Sequence, residues 1–171
     1  GKILSKQGIH LHVYTIAKPG EFEEYERYAK NEKYFHFYTL MPYRDLIKEI
    51  ARYDYALWVH PVYGKYGDEG ATEEKLKVSI GNKLFTYLEA GLPIIISDHL
   101  DLGKKIVTNY KMGFSIKDSE LNNLKEIIDG KEYPALKNNT LKAREYLSLD
   151  NQVKGLEEFY NLVLENQKLK D

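Results

Sequence analysis

The chain of 171 residues has the length and composition of one ordinary globular domain, with 43% hydrophobic and 30% charged residues. The 25 Lys and Arg balance 26 Asp and Glu to a net charge of −1, so no basic excess indicates nucleic acid as a partner. The absence of cysteine excludes disulfides and thiolate metal sites, and the longest apolar runs are too short to span a bilayer.

The first part of the chain is predicted to alternate strands with helices. A strand over residues 9–15 is followed by a Lys-Pro-Gly break and a charged helix over residues 21–30. A second strand, 34–38, precedes a helix over 43–53, and a third strand covers 55–60. The spacing of apolar residues changes between the strand and helix patterns, and breaks separate these segments. Together they indicate repeated β-α units.

The remainder of the chain begins with a predicted glycine-rich loop that runs to Val78. The elements predicted after it are a helix at 82–90, a strand at 93–97, a helix at 102–110, a strand at 113–116, and helices at about 119–129, 135–147 and 151–167. The last helix carries apolar residues at helical spacing, which predicts that one of its faces packs against something.

Strands that alternate with helices predict an α/β fold in which a parallel sheet is covered on both faces. We expect a single Rossmann-like domain over residues 1–171, with three α/β/α layers and a helical C-terminal segment over about 135–168. In such sheets ligands bind beyond the carboxyl ends of the strands. This rule selects five loops as candidate binding segments: residues 15–20, 39–43, 60–81, 98–103 and the turn after Ile116.

The helix predicted at residues 82–90 begins with Gly81, Asn82 and Lys83. Free backbone N–H groups and partial positive charge at a helix start favour an anion such as phosphate. A lysine is unfavourable at that end unless a negative charge accompanies it. The sequence therefore predicts a phosphate-bearing ligand at this helix start.

The histidines suggest weaker candidates. His10 and His12 alternate on one predicted strand and so point the same way, but the sequence shows no third ligand, and no metal site is predicted. His60 and His99 follow neighbouring predicted strands on the ligand-binding side, which makes them candidates for a cleft.

The stretch "NKLFTYLEAGLPIIISD", preceded by "RYDYALWVHP" and followed by "GKKIVTNYKMGFSI", resembles the C-terminal domain of GT-B glycosyltransferases of the group 1/family 4-like type. The resemblance extends from about Ile9 to Tyr160. It implies that this domain binds a nucleotide-sugar donor, UDP- or GDP-linked, as a substrate and needs no other cofactor. The chemistry would be sugar transfer to a glycan or glycolipid acceptor.

The resemblance also assigns residues to parts of the donor. Thr86 and Glu89 are the candidates for the ribose. The phosphates and the sugar would be bound by Ser79, Ile80, Gly81, Asn82 and Lys83. The base pocket would be lined by Tyr38, Thr39, Leu40, Met41 and Tyr43.

The sequence departs from the family pattern at two carboxylates. The family glutamate that holds the ribose is expected five residues before Gly91, where this chain has Thr86, and a second glutamate expected eight residues earlier is Val78. Glu89 lies one turn further along the helix and would substitute only if the helix were rotated or shifted.

The resemblance implies a two-domain enzyme in which an N-terminal GT-B domain supplies most catalytic residues, so this chain alone is expected to be inactive. The parent enzyme is expected in the cytoplasm, with peripheral association at the inner face of the cell membrane. Two alternatives remain: a non-catalytic module that kept the fold, or half of a nucleotide-sugar epimerase.

Overall fold

The computed structural model describes residues 1–15, 20–39, 41–59 and 73–168. The first elements are α1 (Lys2–Ser5), β1 (Leu11–Tyr14), α2 (Glu21–Asn31), β2 (Phe35–Tyr38), α3 (Tyr43–Ile50) and β3 (Ala56–Trp58). They are followed by α4 (Glu73–Val78), α5 (Asn82–Glu89), β4 (Ile94–Ser97), α6 (Asp101–Asn109) and β5 (Gly113–Ile116). The chain continues with a 3-10 helix (Asp118–Asn123), α7 (Leu124–Asp129), α8 (Tyr133–Tyr146) and α9 (Leu149–Lys168).

The described strands pair in parallel, as the sequence predicts, and the chain has a mixed α/β fold compatible with a Rossmann-like architecture. They form two sheets, β1-β2 and β3-β4-β5, instead of the one sheet predicted. The short strand β3 hydrogen-bonds to β4 along one edge. Leu11 of β1 packs against the same apolar cluster as Leu57 and Val59.

The central strand β4 is buried on both faces because its residues alternate between two apolar clusters. Ile94 and Ile96 pack in a cluster with Leu84 of α5 and Val107 of α6. Ile95 packs in the other cluster, which contains Leu4 of α1, Ile116 and Leu124. The apolar sequence of this strand thus reflects burial on both sides, as is typical of a parallel sheet.

The turn between α5 and β4 shows why the helix ends where the sequence places its Gly-Leu-Pro. Gly91 has a φ of +69°. Its N–H donates to Leu88 O at 2.9 Å, and the Leu92 N–H donates to Tyr87 O at 2.9 Å. This pair of hydrogen bonds is the Schellman motif, in which a glycine takes the left-handed conformation at the end of a helix.

One prediction for the surface is wrong. Residues 73–78 were expected in a loop but form α4, because Leu76 is 6% exposed and joins the apolar core. The predicted last helix is present as α9, and its apolar side chains Leu156 and Tyr160 are 50% and 57% exposed. Among the helices in the described ranges, none has both the length and the apolar character that crossing a bilayer requires.

Candidate functional site

The candidate phosphate site lies at the carboxyl ends of β3 and β4, where α5 begins. The preceding residue, Gly81, is extended (φ −78°, ψ 147°), and no side chain caps the helix by a hydrogen bond. The first turn contains no acidic residue. A helix start of this kind offers backbone N–H groups and partial positive charge to an anion.

The indole of Trp58 fixes the start of α5. A Cβ on Gly81 would lie 2.9 Å from Trp58 Cζ2, closer than a methyl group tolerates, and a Cβ on Gly103 in α6 would lie 3.0 Å from Trp58 Cζ3. Trp58 itself is 6% exposed. The two glycines therefore allow the first turns of α5 and α6 to pack closely on one buried ring at the end of β3.

The residues predicted to bind the phosphates and the sugar lie at this helix start because they are consecutive in sequence. Asn82 and Lys83 are exposed at the first turn, and Ile80 is 40% exposed. The Ser79 N–H donates to Leu76 O at 3.4 Å, which connects the segment to α4. The lysine charge and the helix start thus face solvent together, an arrangement suited to a bound phosphate.

The two ribose candidates lie on one face of α5 and meet a residue predicted for the base pocket. Tyr43 Oη donates a hydrogen bond to Glu89 Oε2 at 2.6 Å. The hydroxyl of Thr86 donates to Asn82 O at 3.2 Å. The hydrogen bond to Glu89 is the main cause that raises the pKa of Tyr43, and partial burial is the next largest. The phenol is therefore a neutral donor that orients the Glu89 carboxylate.

Three other predicted base-pocket residues, Tyr38, Thr39 and Met41, line an open pocket of about 340 Å³ at the end of β2. The fourth, Leu40, lies outside the described residues. Phe22 and Glu26 of α2 line the same pocket and were not predicted from the sequence. The sequence could have indicated them, because α2 begins just after one of the loops predicted at the carboxyl ends of the strands.

His99 follows β4 and is largely buried, with 11% of its side chain exposed. Its Nδ1 lies 4.0 Å from Asp98 Oδ1. Within the described part of the chain, its buried Nε2 has no hydrogen-bond partner, which leaves that nitrogen available to a ligand or a water. His60, the other predicted cleft histidine, lies outside the described residues.

A second lysine near His99 was not identified from the sequence. Lys104 Nζ donates to the backbone oxygen of Asp98 and lies 3.3 Å from Asp101 Oδ1. The turn after β4 is therefore held by a cation from α6. Lys104 follows Asp101 by three residues, and residues at that spacing share a helix face. This spacing could have predicted the pair from the sequence.

The sequence model of the family described as "glucosyltransferase 3-like, C-terminal domain" matches residues 4–155. The match includes the candidate residues named above, from Tyr38 to His99. No curated protein and no solved structure matches the chain.

Proposed function

This chain belongs to the glucosyltransferase 3-like, C-terminal domain family, and from that premise we propose that it is the donor-binding domain of a glycosyltransferase. The donor is a nucleotide sugar, UDP- or GDP-linked, and the acceptor is a glycan or glycolipid. The observation that carries the proposal is the family match over residues 4–155, which includes the whole candidate site.

The start of α5 binds the donor diphosphate in this proposal. Sugar transfer leaves negative charge on the diphosphate, which is stabilised by groups already pointing at it. The backbone N–H groups after Gly81 and the ammonium group of Lys83 are such groups. The uncapped helix start and its lack of acidic residues support this role.

Glu89 and Tyr43 bind the ribose in the same proposal, with Thr86 as their neighbour. A carboxylate accepts strong, charge-assisted hydrogen bonds from sugar hydroxyls. The 2.6 Å hydrogen bond from Tyr43 supports this role, because it orients Glu89 on the face of α5 that also carries Thr86. The base occupies the pocket between β2 and α2, and the buried Nε2 of His99 is a candidate contact to the sugar or the phosphate.

We propose further that a GT-B N-terminal domain of the same enzyme supplies the acceptor site and most catalytic side chains. The exposed apolar side chains of α9, Leu156, Phe159 and Tyr160, support a packing partner for this domain. Location in the cytoplasm, at the inner face of the cell membrane, belongs to the same proposal.

A second candidate function is a non-catalytic module that kept the fold and lost donor binding. The observation that favours it is the replacement of both family carboxylates by Thr86 and Val78, since Val78 is 71% exposed and offers no polar group. The two candidates differ in one measurable property, which is nucleotide binding.

The test is calorimetric titration of the chain with UDP, GDP and ADP, with uridine and guanosine as controls that carry no phosphate. The proposal expects one diphosphate to bind with saturation and its nucleoside to bind more weakly, because the phosphates contact the start of α5. Absence of binding by every nucleotide would favour the non-catalytic module. Equal affinity for a diphosphate and its nucleoside would mean that the chain does not bind the phosphates.

A further inference from the structure

Three histidine side chains meet at the amino-terminal end of the β1-β2 sheet. In the parallel register His12 lies opposite His36, and Leu11 N donates to Tyr34 O, so His10 precedes the ladder on the same side as His12. One ring nitrogen from each histidine lies within 4.8 Å of the others. The third ligand that the sequence did not show is therefore His36, which the pairing of β1 with β2 supplies.

We propose that His10, His12 and His36 form a binding site for a divalent transition-metal ion such as Zn²⁺, with a fourth position open to water. Neutral imidazole is a preferred ligand of Zn²⁺, and three histidines with one open position are a known coordination set for this ion. Within the described ranges, these residues are the one group of three metal-ligating side chains brought this close together.

The three rings must reorient to accept the ion. His10 Nδ1 lies 2.8 Å from His36 Nε2, and the ligating nitrogens of all three histidines lie within 4.8 Å of one another. Two nitrogens bound tetrahedrally at about 2.0–2.1 Å from one Zn²⁺ lie about 3.3 Å apart. Binding of the ion therefore requires the rings to turn out of their stacked arrangement, and the exposure of His10 allows that ring to move.

Neighbouring aromatic residues hold the ring of His12 in place. The His12 ring stacks between His36, at 4.3 Å between ring centroids, and Tyr53, at 4.2 Å. Its Nδ1 lies 3.3 Å from Tyr38 Oη, so Nε2 is the nitrogen left to coordinate. Polar partners on the second nitrogen of a ligating histidine orient the ring and fix its tautomer.

The three proposed ligands come from two strands, His10 and His12 from the first and His36 from the second. Coordination of one ion by all three would tie β1 to β2, because metal binding couples to folding. Binding of the ion would therefore stabilise the pairing of β1 with β2.

The proposed metal site adjoins the candidate base pocket through Tyr38, whose hydroxyl lies 3.3 Å from His12 Nδ1 and which also lines that pocket. The candidate phosphate site at the start of α5 is formed by other elements. A metal bound by the histidines would act on the stability of the domain, and its detection by titration with Zn²⁺ requires no nucleotide.

In the experiment, the full chain is treated with a chelator and then titrated with ZnCl2 in a calorimeter. Thermal unfolding is measured with and without the ion. We expect one Zn²⁺ per chain and a higher Tm. The same chain with CoCl2 should show the visible absorption of tetrahedral cobalt, which reports the ligands directly.

Variants distinguish a built site from adventitious binding. His36→Gln should weaken Zn²⁺ binding at least about tenfold and abolish the cobalt absorption, since a lost ligand costs at least as much as a lost supporting contact. His10→Gln, at an exposed position, should do the same without affecting folding. His99→Gln removes a histidine elsewhere and should leave both signals unchanged. Equal affinity in all four proteins, or no saturable binding, would overturn the proposal.

Discussion

Tyr43 Oη donates to Glu89 Oε2 at 2.6 Å and thereby joins the first turn of α3 to the last turn of α5. The partner carboxylate is exposed and lies three residues after Thr86, on the same face of the helix. The resemblance implies a glutamate at position 86, where this chain has a threonine. The carboxylate that a tyrosine orients lies one turn later, at Glu89.

We expect Glu89→Gln to reduce the preference of the chain for ribonucleotides over deoxyribonucleotides. A neutral amide accepts weaker hydrogen bonds than a carboxylate, so the preference should fall by about 1 kcal/mol, or about fivefold in the ratio of Kd values. The measurement is titration with UDP and dUDP, or with GDP and dGDP if guanine is the preferred base. The control is Glu126→Gln on α7, which should leave the ratio unchanged. A preserved ratio in Glu89→Gln would mean that the ribose is bound elsewhere.

Lys83→Ala should weaken binding of the nucleoside diphosphate by about 1–3 kcal/mol, because a charged hydrogen-bond partner of the phosphates is lost. Binding of the nucleoside without phosphate should not change. Lys30→Ala is the matched control, since it removes an exposed lysine from the last turn of α2, outside the candidate site. If calorimetry gives Lys83→Ala the affinity of the unaltered chain, Lys83 does not contact the phosphates.

Gly81→Ala should destabilise the fold by about 1–3 kcal/mol, because its methyl group would lie 2.9 Å from Trp58 Cζ2 in a well-packed core. Gly155→Ala in α9 is the matched control, since a Cβ there has no atom within 4 Å. Alanine at that exposed helical position should increase stability by about 0.5–1 kcal/mol. Urea unfolding of both variants measures the two effects. Similar free energies of unfolding for the two variants would contradict the packing of Gly81 on Trp58.

Tyr87 provides a prediction for alkaline pH. Burial raises the pKa of this phenol above its ordinary value of 10.0. The unfolded chain therefore loses the proton first, so the stability that Tyr87 contributes is complete below pH 10 and decreases as the pH rises through the raised pKa. Urea unfolding between about pH 8 and about pH 11 should show a smaller loss for Tyr87→Phe than for the unaltered chain. Tyr160→Phe, at a 57% exposed position, should not reduce the loss.

Much of the fold could be predicted because its causes are local in sequence. The apolar run at 94–96 identifies a strand buried on both faces, and the Gly91–Leu92–Pro93 turn ends α5 through backbone hydrogen bonds that span only six residues. The start of α5, with Lys83 in its first turn, is also encoded within a few consecutive residues. Such features depend on periodicity and on the conformations that glycine and proline permit.

Only the tertiary structure decided which distant residues meet. Tyr43 and Glu89 are 46 residues apart, and His10 and His36 are 26 residues apart. No local pattern predicts either contact. The packing of α3 against α5 brings the first pair together, and the register of β1 against β2 brings the second. Tertiary packing also decided that the apolar side chains of α9 are exposed and that Leu76 is buried, because burial depends on which surfaces the other elements cover.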